Sequence, residues 1–353
     1  MAINLASLDH YEVKGMVMMK KLWRAGGWPL AFGLGLIIGV GTRVAGSPRS
    51  LRSGSPSVDI KSMMASISDW GRWGTTDQLG TVNLIIPAKR KQAAALVSDG
   101  VSISLARNLT NTRGGGVGWF EQKMTSTGED PKSGHSSDIY STEYHGSDVT
   151  HLDALCHIFY QGKMYNGFPQ SEVTSGGAGR LSVLNMKNGL FTKAVLMDMP
   201  VYWGVDYLPA NKAIYPADLE AWEKKSGVTV EPGDAILIRT GRWRRQEVEG
   251  SAAVQKAAPG LHSSCLPWLK QRGVAIVGSD FATDLVPSGV EGFDSPIHLV
   301  VINTLGMPIL DNCDFDAASA YARAHKRWTF LLTAAPLAVR GGTGSPINPI
   351  ATF

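Results

Sequence analysis

The residues best suited to chemistry in this chain are His151, Asp153 and His157, inside THLDALCH at 150–157. On an extended backbone, residues two apart face the same side, so His151 and Asp153 project together. Residues four apart meet on one helical face, so a helix starting at Asp153 would stack Asp153 and His157. A strand-to-helix junction at Asp153 therefore predicts two imidazoles and a carboxylate in one small volume. Neutral imidazole with carboxylate suits a borderline divalent cation such as Zn²⁺ or Mn²⁺. The same residues also fit a plainer assignment, a surface histidine beside an aspartate that caps a helix, since Asp is a favoured N-cap.

Other chemistries find less support. Gly114 to Gly116 are followed by no Lys-Ser/Thr and preceded by no strand pattern, so they are not a phosphate loop. No Gly-X-Ser-X-Gly elbow occurs. Cys156, Cys265 and Cys313 are widely spaced with no CxxC pair, which suggests buried apolar thiols rather than a zinc ribbon or a disulfide framework. His262 reads as a structural or capping histidine. Trp70, Trp73, Trp119 and Phe120 fit a core, or else an aromatic pocket.

The elements that must position these residues follow from periodicity and punctuation. Apolar runs or alternation at 193–199, 234–240, 273–279, 297–303 and 328–334 predict strands, several of them β-branched. Residues 87–98, 216–226 and 262–272 predict helices, the first two opening on Pro87 and Pro216 and all three followed by glycine. Residues 108–144 are polar, Gly/Ser/Thr-rich and aperiodic, and read as a long loop or lid, with 113–120 able to close over a substrate ring. Strands interleaved with a few helices predict a single α/β domain with mixed sheets over 59–353.

With 44% hydrophobic and 18% charged residues among 353, the chain has a globular, core-forming composition. Its net charge of +4 is unevenly placed: residues 1–53 carry seven basic side chains against Asp9 and Glu12, leaving the rest at −1. Nothing therefore demands a basic nucleic-acid-binding face on the body. Lys20, Lys21 and Arg24 precede an uncharged stretch to Thr42, small residues at Val44 to Gly46, and a Ser/Arg/Pro/Gly linker to about Val58. That order is the order of a secretory signal, so 1–58 is expected to be a signal segment plus linker. A single N-terminal membrane anchor and a buried helix are the alternatives. Either signal or anchor makes the body exported, periplasmic or secreted.

Several blocks, taken in order, resemble the cyclase family that includes kynurenine formamidases and isatin hydrolases. THLDALCH is similar to its His-X-X-X-His-X-Asp-X-X-X-His signature. Trp70 to Asn83 (WGRWGTTDQLGTVN) resembles its opening segment, and Gly233 to Gly241 (GDAILIRTG) its central strand. PGLH at 259–262, VGSD at 277–280, and PIH at 296–298 through GMPILDN at 306–312 resemble later blocks. The resemblance spans about 65–340. It implies an α/β swivelling β/β/α fold, a homodimer, and one or two divalent metals, Zn or Mn. It also implies hydrolysis of an amide, an N-formyl arylamine or a cyclic amide, in a small-molecule substrate. Carried over by position, His151, Asp153 and His298 match residues at the metal, Asp311 stands near a glutamate ligand, and His157 matches the catalytic histidine. A lactone or ester hydrolase on the same site, and a non-catalytic binding protein with an incomplete metal site, remain open alternatives.

One position departs from that signature. The histidine expected four residues before His151 is Ser147, and the nearest substitute is His145. Parity in a strand permits His145 to face the same side, but six residues of straight strand span about 20 Å, too far for one metal. Gly146 and the turn-forming Ser147 and Asp148 allow a bend there. The expectation is a bent segment with His145 as a metal ligand; water or Asp148 in that position, with His145 in solvent, is the alternative.

Overall fold

The computed structural model describes residues 59–112 and 118–353. The expected leader, and residues 113–117 of the expected lid, lie outside the described residues. Among the described residues no helix is long and apolar enough to cross a membrane.

The body is built on a nine-stranded mixed sheet. Its centre is parallel: Leu190–Asp198 beside Ala235–Arg239, then Ile276–Ser279, then Ile309–Asp311. These strands are almost wholly buried and nearly continuous in apolar residues, as expected for strands covered on both faces. Helices Pro216–Ser226 and Leu266–Arg272 supply crossovers between them, each ending on a glycine in the left-handed region, Gly227 (φ 70°) and Gly273 (φ 65°). On one side Thr329–Ala334, Ile350–Thr352 and Ser102–Ser104 extend the sheet by antiparallel pairing.

The other side matters for function. His151–Asp153 lies antiparallel between Ile309–Asp311 and Gly344–Pro346. In register, Asp311 stands opposite His151, and Gly344 stands opposite Asp153. Two strands far apart in sequence thus flank the short HLD segment, and all three of its residues are buried.

Three expectations about elements are corrected. The run at 297–303 is not a strand: Pro296–His298 and Leu299–Thr304 form a continuous helical segment. An apolar run buried all round carries no periodicity to separate strand from helix. Residues 108–144 hold an antiparallel ribbon, Trp119–Ser126 with Ser137–Glu143, rather than a structureless loop. No helix begins at Asp153; the chain turns there, with His157 N–H donating to the Ala154 carbonyl at 2.9 Å.

Candidate metal centre

Strand alternation aims His151 and Asp153 to one face, and the register adds Asp311 from the neighbouring strand. His151 has Nδ1 2.8 Å from the Val149 carbonyl, which fixes the tautomer and leaves Nε2 free, 3.5 Å from Asp153 Oδ1.

His145 reaches the same carboxylate because the chain between 145 and 151 is bent. Asn312, itself at φ 53°, donates from Nδ2 to the carbonyls of Gly146 (2.6 Å) and Val149 (3.2 Å). Arg242 donates from Nη2 to the Ser147 carbonyl at 2.7 Å. The bend brings His145 Nδ1 to 2.9 Å from Asp153 Oδ1, while Nε2 sits 3.0 Å from Thr343 Oγ1. Although close, His145 Nδ1 and Asp153 Oδ1 are not aligned as donor and acceptor, and both are buried without a hydrogen-bond partner. Buried polar atoms left unpaired are costly, and two that converge without bonding have the arrangement of ligands facing one ion.

A second group shares Asp153. Its Oδ2 lies 3.9 Å from His298 Nε2, which is 2.9 Å from Asp311 Oδ2; Asp311 Oδ1 is buried and unpaired. Asp284 fastens His298 from behind, with Oδ2 2.6 Å from Nδ1, and its carboxylate also accepts the Ile297 and His298 backbone N–H groups. A carboxylate behind a histidine in this way is the usual outer support of a metal ligand. The facing donor atoms of His145, His151 and Asp153, and those of Asp153, His298 and Asp311, lie within 4.8 Å of one another in each group. Three imidazoles and two carboxylates in a buried, partly unpaired cluster fit one divalent cation, or two bridged by Asp153.

The electrostatics agree with a cluster built around charge. Burial alone would raise Asp153, yet His145, His151, His157 and His298 pull it well below the usual carboxylate range. Burial opposes the charge of His298, but Asp311 and Asp284 outweigh it and raise its pKa well above the ordinary histidine value.

His157 is placed differently. Its ring stacks on His145, centroids 4.0 Å apart and planes 4° from parallel, with Nε2 3.9 Å from Asp153 Oδ2. Neither ring nitrogen has a hydrogen-bond partner among the described residues, and the side chain is 28% exposed, far more than Asp153. Burial nonetheless pushes its pKa down to about 4, so the ring is neutral at pH 7 and able to accept a proton.

The residues that shape the site without an obvious signal are Asn312, Arg242, Asp284, Thr343 and Gly344. Asn312 closes the GMPILDN block and Arg242 follows GDAILIRTG, so proximity to those blocks was the one sequence cue. Arg242 is buried between the rings of Trp243 (3.9 Å) and Phe281 (4.8 Å), and burial pushes its pKa down to about 10. Asp280 fixes its backbone by accepting from the N–H groups of Thr240, Gly241 and Arg242 and from Thr240 Oγ1. His262 caps locally, accepting from Ser264 N–H at 3.2 Å, as expected.

Residues 89–284 match the model of a family described as "Putative cyclase". A crystal structure described as a novel cyclase is similar at 30% identity and TM-score 0.75, over 82% of this chain and 99% of its own. Isatin hydrolase A from Ralstonia solanacearum is similar at 20% identity and TM-score 0.53, over 71% of this chain and 91% of its own. An isatin hydrolase bound to the product analogue thioisatinate is similar at 18% identity and TM-score 0.53, over 74% of this chain and 94% of its own. These last two share the fold. No curated protein matches the sequence.

Proposed function

The chain belongs to the cyclase family, and on that premise we propose that it is a metal-dependent hydrolase that opens an N-formyl arylamine or a cyclic amide. The observation that carries the reading is Asp153, one buried carboxylate shared by two groups of converging ligand atoms, several of them unpaired. His145, His151 and Asp153 would hold a first divalent ion, and Asp153, His298 and Asp311 a second or shared one. Such an ion, Zn or Mn, supplies a Lewis acid that activates water and polarises a carbonyl.

The chain's own residues do the rest. His145, His151 and His298 each have one ring nitrogen tied to Thr343, Val149 or Asp284, which leaves the other nitrogen aimed at the cluster. His157 alone has no such tether among the described residues, which suits a group that moves a proton rather than one that ligates. Its ring takes a proton from the attacking water as the carbonyl carbon–oxygen bond forms, and returns it to the nitrogen as the carbon–nitrogen bond breaks. Water and amide thus become a carboxylic acid and an amine, with the proton conserved. Isatin hydrolases, by their name, act on isatin, itself a cyclic amide, which supports a lactam or formamide over an unrelated class.

A homodimer and export through the leader complete the proposal. The test is a panel of formanilides, isatin-like lactams and aryl lactones assayed with metal-replete full-length protein. Turnover of a formanilide or lactam is the expected result. Lactone cleavage alone would move the assignment to an esterase on the same site. Substoichiometric metal without any turnover would favour a non-catalytic binding protein with an incomplete metal site.

A further inference from the structure

We propose that Thr343 and Gly344 are positioning residues that seat His145 in the metal centre, Thr343 by holding one ring nitrogen and Gly344 by leaving room for the ring. The inference rests on the reading of His145 as a ligand given above.

The backbone places both residues. Gly344 is directly opposite Asp153 across an antiparallel pair, and the Thr343 carbonyl accepts from Ala154 N–H at 3.0 Å. Directly opposed residues carry their Cβ atoms about 4.5–5.5 Å apart, so a side chain at 344 would stand beside the Asp153 carboxylate. Glycine leaves that volume empty, and the His145 imidazole occupies it. A Cβ at Gly344 would lie 2.9 Å from His145 Cε1, 3.1 Å from Tyr144 Cε2 and 2.5 Å from the Leu152 carbonyl oxygen. The first two contacts are with the His145 ring and the tyrosine ring packed on it, 4.5 Å between centroids. Even alanine at 344 would press on both the Leu152 carbonyl of the paired strand and the His145 ring, so neither could keep its present place.

Thr343 supplies the orientation. Its Oγ1 is 3.0 Å from His145 Nε2, and no other hydrogen-bond partner of that nitrogen occurs among the described residues. A hydroxyl that accepts from Nε2–H leaves the lone pair on Nδ1, the atom 2.9 Å from Asp153 Oδ1. A ring free to flip or to change tautomer would present a C–H or an N–H to the cation instead. Tyr144 braces the arrangement by donating from its hydroxyl to the Gly344 carbonyl at 3.0 Å.

The test measures Zn²⁺ affinity of the full-length chain by competition with a chromophoric chelator, with thermal unfolding of the metal-free protein as the fold control. Thr343→Val keeps the β-branched shape and removes only the hydroxyl. Loss of an outer partner of a ligating histidine typically weakens affinity about 10- to 100-fold, and that range is expected here. Thr343→Ser should restore wild-type affinity, and Thr343→Ala provides a second hydroxyl deletion should the valine variant fail to fold. In a His145→Ala background, which is itself weakened, Thr343→Val should cost nothing further. Wild-type affinity in Thr343→Val with weak binding in His145→Ala overturns this inference and leaves His145 a ligand. An undiminished Thr343→Val effect in the His145→Ala background also overturns it, because Thr343 would then act elsewhere. Wild-type affinity in His145→Ala overturns the underlying reading of His145 instead.

Discussion

His157→Ala separates holding the metal from moving the proton. Among the described residues, His157 belongs to neither converging ligand group, and its Nε2 stops 3.9 Å from the nearest carboxylate oxygen. Removing it therefore leaves His145, His151, Asp153, His298 and Asp311 in place, and metal content should stay near the wild-type level. What is lost is a positioned general base, a contribution of about 10² to 10⁴ in rate. At 1.36 kcal/mol per factor of ten, that is roughly 2.7–5.5 kcal/mol on the barrier. The ring also stacks on His145, and losing an aromatic pair of this kind costs about 0.5–1.5 kcal/mol. A small fall in thermal stability is expected, too small to explain a rate loss of that size. The assay pairs elemental analysis of the purified variant with turnover of whichever substrate the panel identifies. If His157→Ala emerges depleted of metal, then His157 is a ligand and its assignment as the proton carrier is wrong. If it keeps both metal and full turnover, another group moves the proton.

Three further outcomes follow from the same geometry. Asp280→Ala removes both acceptor oxygens and leaves the N–H groups of Thr240, Gly241 and Arg242 without that partner, at about 1–3 kcal/mol each. With Tm falling roughly 2–4 °C per kcal/mol for a domain of this size, a loss of several degrees should appear in a thermal melt, and an unchanged melt would contradict it. Metal affinity should weaken as pH falls. The pKa of His298 is raised well above the usual value by Asp311 and Asp284, so its Nε2 must lose a proton before it can ligate, costing roughly tenfold per pH unit for each proton displaced. A chelator competition titrated over pH measures this slope, and a flat profile would exclude His298 as a ligand. Finally, the basic leader with its apolar run predicts export: fractionation with N-terminal sequencing should find mature protein beginning after about Gly46 or held on a membrane, whereas a soluble cytoplasmic form with its leader intact would refute it.

Much of the site was legible because its nucleus is local. Strand parity alone pairs His151 with Asp153, and the resemblance of the later blocks to the cyclase family pointed to His298 and Asp311. The impossibility of reaching a metal from His145 along a straight strand was enough to expect a bend. What the sequence hid is non-local. Thr343 meets His145 across 198 residues, Asn312 holds Gly146 across 166, and Asp284 reaches His298 from outside any recognisable block. No periodicity encodes such pairings; the tertiary fold creates them, with Thr343 and Asn312 brought in next to paired strands and Asp284 by a loop packed on a helical segment. The ribbon at Trp119–Ser126 and Ser137–Glu143 escaped for a different reason. Most of it is exposed on both faces, so selection for one buried face never imposed an alternating pattern. The helical segment at 296–304 was misread for the opposite reason, since burial on nearly every side erased the pattern too.

Whether Asp153 anchors a divalent metal centre is decided by metal content. Full-length wild type and Asp153→Ala, each expressed with Zn²⁺ and Mn²⁺ supplied, are purified without chelator and analysed for both elements, with a thermal melt showing that the variant is folded. Stoichiometric metal is expected in the wild type and near-complete loss in the variant, because the one carboxylate common to both ligand groups is gone. A folded Asp153→Ala protein that keeps its metal, or a wild type that binds none, would contradict it.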